Sequence, residues 1–535
     1  MDNTIHWFAP QPFLDTSPVQ QVEVTVHSTR TTGAHPYITT PLHETLQALK
    51  NKIDSPSGQW DDAKKITNPY EHIFLSLHSR IHLSMSARHP LSRSYFKMIE
   101  MWNQIERDTG ILLSSTVRAS SHSAEGPGGF LEAIQDKVKE PGRHGGIPMI
   151  TMTLNSTEKN IPGFRKSQAF LRRYPSIHVT YGSDGTGNLY HLVNQDAFAS
   201  EASIRTPNAS LYTADGGFDF SADFNGQEYT IQRLLVAEFI AGLTTLSPGP
   251  TSIMIIKIFD TTHRVTLDLL YTMTTCFDRT GLIKPLSSRP ANSERYWIGV
   301  GYRGAPVWIL ELFRRLIGMD APSGWDRLYA REPWIEDALE LEPWAVQLQR
   351  FQEEVEQHQL NTIQVTLNLI QMGTLKSTDA SPELFSLLLT NITKSRSWCS
   401  DNGIPVNSRY MDLTDIQIAH INFKEIREER EAAPVSCSRT CLHTLFRRGR
   451  MPGGWSSDVS QPLPTVRAWR SQLPASVLGR SPFQTVSEIH LPRLECASVP
   501  SQDPTESLPV SDLRLVRHES LESWPALVST GHHDG

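Results

Sequence analysis

The chain has 535 residues, of which 39% are hydrophobic and 20% charged. That length exceeds the ~250–300 residues at which one core stops growing, so one large domain with appendages, or two domains, is expected. No run approaches the ~18 apolar residues of a membrane span, and a net charge of −7 argues against a bulk nucleic-acid coat while leaving room for a local basic groove.

Residues 1–59 read as a polar, turn-rich segment with one β-like run, Val22–Val26. The start lacks the basic and apolar regions of a secretory signal, which makes an intracellular protein the expectation. From about Asn68 to Gly304 helical and strand-like patterns alternate, the mark of an α/β sheet domain. Tyr95, Phe96, Ile99, Trp102 and Ile105 recur at helical spacing and predict a helix over 92–109. A second helix, Phe130–Val138, opens straight after a glycine-rich turn. Ile147–Leu154, Ser176–Tyr181, Ser210–Ala214 and Ile253–Phe259 read as buried strands, with helices Ile231–Leu246 and Val265–Phe277 among them. Leu282–Lys284 and Tyr296–Tyr302 read as the last two strands. Residues 306–431 form a helical extension containing Trp344–Gln371 and Glu383–Trp398. Residues 432–535 lose periodicity and lysine, and read as a disordered low-complexity tail.

The five cysteines are scattered and odd in number, so no disulfide framework is expected. Cys437, Cys441 and His443 have only a loosely zinc-like spacing with no second ligand pair, so no metal is expected.

Four stretches carry chemistry. Ala124-Glu125-Gly126-Pro127-Gly128-Gly129-Phe130 is a glycine turn between strand and helix, where bare backbone can approach a ligand. It is neither the dinucleotide fingerprint nor a phosphate loop; on its own, such a stretch is more often just a turn. Leu211–Asp219 runs an apolar strand into Asp215 and two glycines, at the end where open α/β sheets place their sites. Lys257 interrupts an apolar strand, and burying a lysine is costly unless it is paired or neutral; a strand-edge lysine reaching water is the bland alternative. Lys284–Tyr296 is a polar turn with Glu294 at the start of the last strand.

Together these stretches, in order, resemble the FtsJ/RrmJ-like S-adenosylmethionine-dependent 2′-O-ribose methyltransferases, and within them the cap-specific mRNA (nucleoside-2′-O-)-methyltransferases. Asn68-Pro69-Tyr70-Glu71 and Ser92-Arg93-Ser94-Tyr95-Phe96-Lys97 match as well. The resemblance covers residues 60–305. It implies a Rossmann-like class I methyltransferase sheet, mostly parallel with an antiparallel last strand. It also implies a Lys-Asp-Lys-Glu tetrad of Lys97, Asp215, Lys257 and Glu294, with Lys257 as base. Such a base needs its pKa lowered from ~10.4 toward ~7–8, by burial and by the neighbouring Lys97.

By the same resemblance, Glu125, Gly126, Pro127, Gly128, Gly129, Asp184 and Asp215 would contact the cofactor, S-adenosyl-L-methionine. Arg289, Asn292, Ser293, Lys64 and Lys65 would contact RNA, expected to be capped mRNA. The nucleus is the implied compartment for a cellular protein, and the cytoplasm for a viral relative. Ribosomal RNA methylation and a catalytically inactive RNA- or cofactor-binding module are the alternatives. The run Ser115–Ser123 departs from the family's apolar first strand and reads as a short, edge-like strand or a weakened cofactor site.

Overall fold

The computed structural model describes residues 4–8, 22–26, 39–53, 57–74, 84–139, 146–158, 161, 163–218, 225–319, 325–329, 343–372 and 382–419. The predicted tail at 432–535, with Cys437, Cys441 and His443, lies outside them.

Ten strands are present among the described residues: β1 (His6–Trp7), β2 (Val22–Val26), β3 (Ser120–Ser123), β4 (Met149–Met152), β5 (Ile177–Thr180), β6 (Leu211–Ala214), β7 (Gly249–Ile258), β8 (Phe277–Ile283), β9 (Arg295–Tyr302) and β10 (Trp325–Tyr329). Eight form one sheet in the order β1-β8-β9-β7-β6-β3-β4-β5, and β10 pairs antiparallel with β2 in a separate ribbon. β5, β4, β3, β6 and β7 pair in parallel, while β9 runs antiparallel to both β7 and β8. β1 adds an antiparallel edge against β8, so residues near the start of the chain complete the sheet.

β7 shows why the sheet is buried on both sides. Met254 and Ile256 enter one core cluster and Ile253 and Ile255 the other, as the two-residue strand period requires. The first cluster lies under α7 (Leu192–Arg205), α8 (Gln227–Thr245), α9 (Arg264–Thr274) and α10 (Val307–Gly318); the second under α3 (Ser94–Thr109) and α5 (Gly129–Lys137). α3 buries the predicted Tyr95, Phe96, Ile99, Trp102 and Ile105 and stops at Gly110, whose left-handed φ of 70° lets its N–H cap the Glu106 carbonyl. Outside the sheet, α1 (His43–Asn51) and α2 (Ser57–Ile66) pack on α11 (Pro343–Gln371) through Leu46, Trp60, Ile66, Ile363 and Leu367. α12 (Pro382–Asp401) presses Trp398 edge-on to Phe96, ring centroids 5.7 Å apart.

Three readings of the sequence need correction. The helix predicted over Val265–Phe277 ends at Thr274, and β8 starts at Phe277, well before Leu282. Phe277 is drawn into the sheet by Trp297 and Tyr302, at 5.4 and 5.2 Å between ring centroids. The polar run before the glycine turn is no edge: Ser120, Ser121, His122 and Ser123 are all buried, and β3 lies between β4 and β6. The third concerns the charge on Lys257 and belongs with the site.

Candidate active site

β3, β6 and β7 run the same way, so the loops leaving them meet along one sheet edge. β3 delivers the glycine turn, β6 delivers Asp215, and β7 carries Lys257 in its last turns of pleat. β9 runs the other way with Tyr296 opposite Lys257, which sets Glu294 beside the same edge. Lys97 comes down from the first turn of α3. Residues spread over two hundred positions thus converge.

Lys97 Nζ lies 2.6 Å from Glu294 Oε1. Lys257 Nζ lies 3.2 Å from Asp215 Oδ1 and donates to the Asp215 carbonyl at 2.7 Å. The four side chains are 12–15% exposed, a depth at which charges still reach solvent yet feel one another strongly. Glu294 shows the effect: burial works against its charge, but Lys97 and Lys257 hold its carboxyl down at about 2. Lys257 departs from expectation. Burial lowers its pKa, yet Asp215 above all, with Glu294, outweighs burial and raises it above the ordinary lysine value, so the resting amine is an ammonium. Lys97 does not decide the matter because Glu294 neutralises it.

Two partners escaped the sequence reading. Tyr296 OH donates to Asp215 Oδ1 at 2.9 Å, and Ser288 Oγ donates to Glu294 Oε1 at 2.9 Å. Lys284 also went unassigned. Its buried ammonium donates to the Asn292 carbonyl at 2.7 Å, to Asn292 Oδ1 at 3.0 Å and to the Glu294 carbonyl at 2.8 Å, while burial pushes its pKa down to about 7. A lysine closing an apolar strand was a visible signal, the same one that drew attention to Lys257.

The glycine turn packs tightly against the protein itself. A Cβ on Gly126 would lie 2.8 Å from the Gly163 Cα, and Gly128 has φ +107°, a conformation that side chains strain to adopt. Pro127 offers its carbonyl to the Ser167 hydroxyl, and Gly129 opens α5. Glu125 is buried, and burial with Asp215 nearby raises its pKa well above the usual carboxyl range.

Behind Glu125 the polar strand forms a directed chain. Thr213 Oγ1 donates to Glu125 Oε1 at 2.5 Å, so it accepts from His122 Nδ1 at 2.8 Å, and His122 Nε2 accepts from Ser120 Oγ at 2.8 Å. Burial holds His122 at about 3, which keeps the ring neutral and fits this tautomer. Ser123 and Ser121 meet Tyr212 OH at 2.6 Å and Thr245 Oγ1 at 2.8 Å. Hydroxyls and imidazole satisfy one another, which is how a polar strand survives in the sheet centre.

The remaining predicted residues are held by the protein's own groups. Asp184, beyond the outer strand β5, accepts at Oδ1 from Thr186 N, Thr186 Oγ1 and Asn194 Nδ2, and its Oδ2 lies 2.6 Å from His191 Nδ1. Arg289 grips Glu71 with Nε at 3.1 Å and Nη2 at 2.9 Å, tying the Asn68–Glu71 motif to the turn before Glu294. Asn292 serves Lys284, and buried Ser293 donates to Gln227 Oε1 at 2.6 Å. Lys64 and Lys65 lie half-buried in the last turn of α2. Among the described residues, no group of three or more His, Cys, Asp or Glu could hold a metal ion, and no helix is long and apolar enough to cross a membrane.

Residues 90–302 match the family described as FtsJ-like methyltransferase. This stretch of the chain belongs to that family. Three curated relatives bear the name cap-specific mRNA (nucleoside-2′-O-)-methyltransferase. Methyltransferase 1 of Trypanosoma cruzi is 33% identical over 227 residues, 41% of this chain and 58% of the relative. Methyltransferase 2 of Danio rerio is 28% identical over 289 residues, 52% of this chain and 38% of the relative. Methyltransferase 1 of Drosophila melanogaster is 31% identical over 174 residues, 32% of this chain and 21% of the relative. The chain therefore spans less than two thirds of the length of each.

Proposed function

We propose that this chain is an S-adenosylmethionine-dependent RNA 2′-O-ribose methyltransferase acting on cap-proximal nucleotides of mRNA. The observation that carries the reading is the meeting of two lysine–carboxylate pairs, Lys97–Glu294 and Lys257–Asp215, at the strand ends of an FtsJ-like domain. The names of the curated relatives support the choice of capped mRNA.

The residues fit a cationic cofactor. Glu125, Asp215 and Glu238 interact electrostatically around a single ammonium, Lys257, so the crevice has acid to spare for a positive ligand. The Gly126–Gly129 backbone and Asp215 would hold S-adenosylmethionine, with Glu125 and Pro127 shaping the turn and Asp184 stiffening the neighbouring loop. When bound, the cofactor supplies an electrophilic methyl group on a positively charged sulfur.

Lys257 orients the ribose 2′-hydroxyl for in-line attack, the larger part of the catalysis being positioning. Its resting ammonium sheds a proton to solvent, and the amine then takes the hydroxyl proton. Asp215 fixes the direction of the Lys257 amine, and Tyr296 fixes Asp215. Lys97 and Glu294 hold the other wall of the crevice, with Ser288 and Lys284 anchoring Glu294. Arg289 and Asn292 brace the turn that presents Glu294, with Ser293 pinning it to α8. Lys64 and Lys65 lend positive charge for phosphates.

The test is Lys257→Ala: methyl transfer falls to background while cofactor binding stays close to wild type. Transfer near the wild-type rate would remove Lys257 from the mechanism. Equal transfer to capped and uncapped RNA would keep the chemistry and move the target toward structured or ribosomal RNA.

A further inference from the structure

Buried acids in this protein are partnered where they serve the fold. Glu100 accepts from Leu286 N, Ser287 N, Ser287 Oγ and Trp398 Nε1. Glu228 accepts from the backbone N–H groups of Thr262 and His263. Glu238 on α8 is as deeply buried, yet its carboxyl has only a poorly aligned contact with the Gly216 backbone N–H, against four donors for Glu100. The oxygens face the backbone of Gly216, where a Cβ would lie 2.1 Å from Oε1 and 3.1 Å from the Ala124 Cβ. Gly216 follows Asp215, and Ala124 precedes Glu125. Glu238 therefore stands directly behind the junction of the two loops assigned to the cofactor.

We infer that Glu238 discriminates charge at that junction: it holds a proton in the absence of a cation and releases it to solvent when a sulfonium enters beside Asp215, which favours the cationic methyl donor over its neutral thioether product. The inference rests on the cofactor reading proposed above. A poorly partnered carboxyl away from water is stable as the neutral acid, and a nearby positive charge reverses that preference. Burial pushes Glu238 up to about 8, with Lys257 opposing, Asp215 adding to the rise and the Gly216 backbone N–H opposing it weakly. One positive charge entering beside Asp215 is then offset by one departing proton. That proton leaves Glu238 rather than Lys257, because the carboxylates hold the lysine proton more tightly. Glu238 acts through the loop in front of it and is a positioning residue.

The groups around Glu238 restrict what else titrates. Tyr212 from β6 is raised well above 10 by burial, and Tyr190, before α7, is pushed up to about 12. Arg233, on the same helix, lies over the Tyr190 ring at 4.8 Å. Asp215 and Lys257 form their own pair. Glu125, and Lys284 beside Glu294, which burial pushes down to about 7, are further groups whose proton could leave, and both remain in a Glu238 variant.

The experiment is titration calorimetry of the full chain with S-adenosylmethionine and with S-adenosylhomocysteine, in buffers of differing ionisation enthalpy between pH 6.5 and 8. The expected result is release of about one proton with the sulfonium ligand and none with the thioether, and sulfonium affinity rising up to about tenfold per pH unit below the pKa of the acid. Glu238→Gln, neutral and of the same shape, loses both the release and the slope. Release retained in that variant assigns the proton to another group, Glu125 or Lys284, and overturns the inference. Should the variant not fold, the wild-type comparison decides: equal release with both ligands, or none with either, overturns it. Failure of both ligands to bind is a separate outcome that overturns the cofactor reading and this inference with it.

Discussion

Glu71 offers the sharpest test of how the site is held together. It is buried, lies 218 residues from Arg289 in the chain, and faces Arg289, Arg93 and Asn68. Burial alone would raise its pKa, but Arg93 and Arg289 bring the carboxyl from 4.5 down to about 2. At 1.36 kcal/mol per tenfold change in proton affinity, holding the carboxyl at about 2 instead of 4.5 is worth about 3 kcal/mol in favour of the folded, charged state. The folded pKa lies below the unfolded one. This stability is therefore fully present above pH ~4.5 and is lost as the pH falls toward ~2. Glu71→Gln keeps the shape but leaves two guanidinium groups without their counter-charge, and removing one member of a buried pair costs about 3–5 kcal/mol. Urea unfolding of both proteins should show a gap of about 3 kcal/mol at pH 7, more than half of it gone by pH 3. Methyl transfer should fall in parallel, because the turn carrying Glu294 loses its anchor. A gap under about 1 kcal/mol at pH 7, as for a surface pair, or a gap unchanged at pH 3, would refute the reasoning.

Three further outcomes follow from the same structure. At saturating cofactor, log kcat should climb with pH between 7 and 9 with a slope near one, because Lys257 must first lose a proton; a flat profile would show that the ammonium only orients its partner. Gly126→Ala should abolish cofactor binding measured by calorimetry, since the new methyl group meets the Gly163 backbone at 2.8 Å; unchanged affinity would show that the turn shifts freely. His122→Leu should lower stability in urea by about 1–3 kcal/mol, as Ser120 and Thr213 lose a buried partner, and should weaken cofactor binding by freeing Glu125; no change in either would show that the polar chain is dispensable.

The helices and strands most legible in the sequence were those whose own side chains set the pattern. α3 announced itself by Tyr95 to Ile105, and β7 by its apolar run. α7 escaped notice because it buries only Asn194, Gln195, Phe198 and Ala202, too few apolar groups for a helical stripe. β1 is two residues long and exists because β8 offers it an edge. β3 carries no apolar signal at all; its Ser-Ser-His-Ser run is stabilised by groups on β6 and α8 that only the fold brings near. The motifs pointed to Lys97, Asp215, Lys257 and Glu294, which the fold joins as two lysine–carboxylate pairs, but not to their charge states. The ammonium on Lys257 depends on the carboxylates of Asp215 and Glu294, from separate elements, and Glu238 gave no sign in the sequence because its meaning lies in its place behind two loops that only the fold brings together.

The most direct test of the central claim is transfer of labelled methyl from S-adenosylmethionine to matched capped and uncapped RNAs, with the wild-type chain and Lys257→Ala side by side. The account predicts transfer by the wild type to the 2′-oxygen of capped RNA and none by the variant. No transfer by a wild-type chain that binds the cofactor would contradict it and leave a binding module in its place.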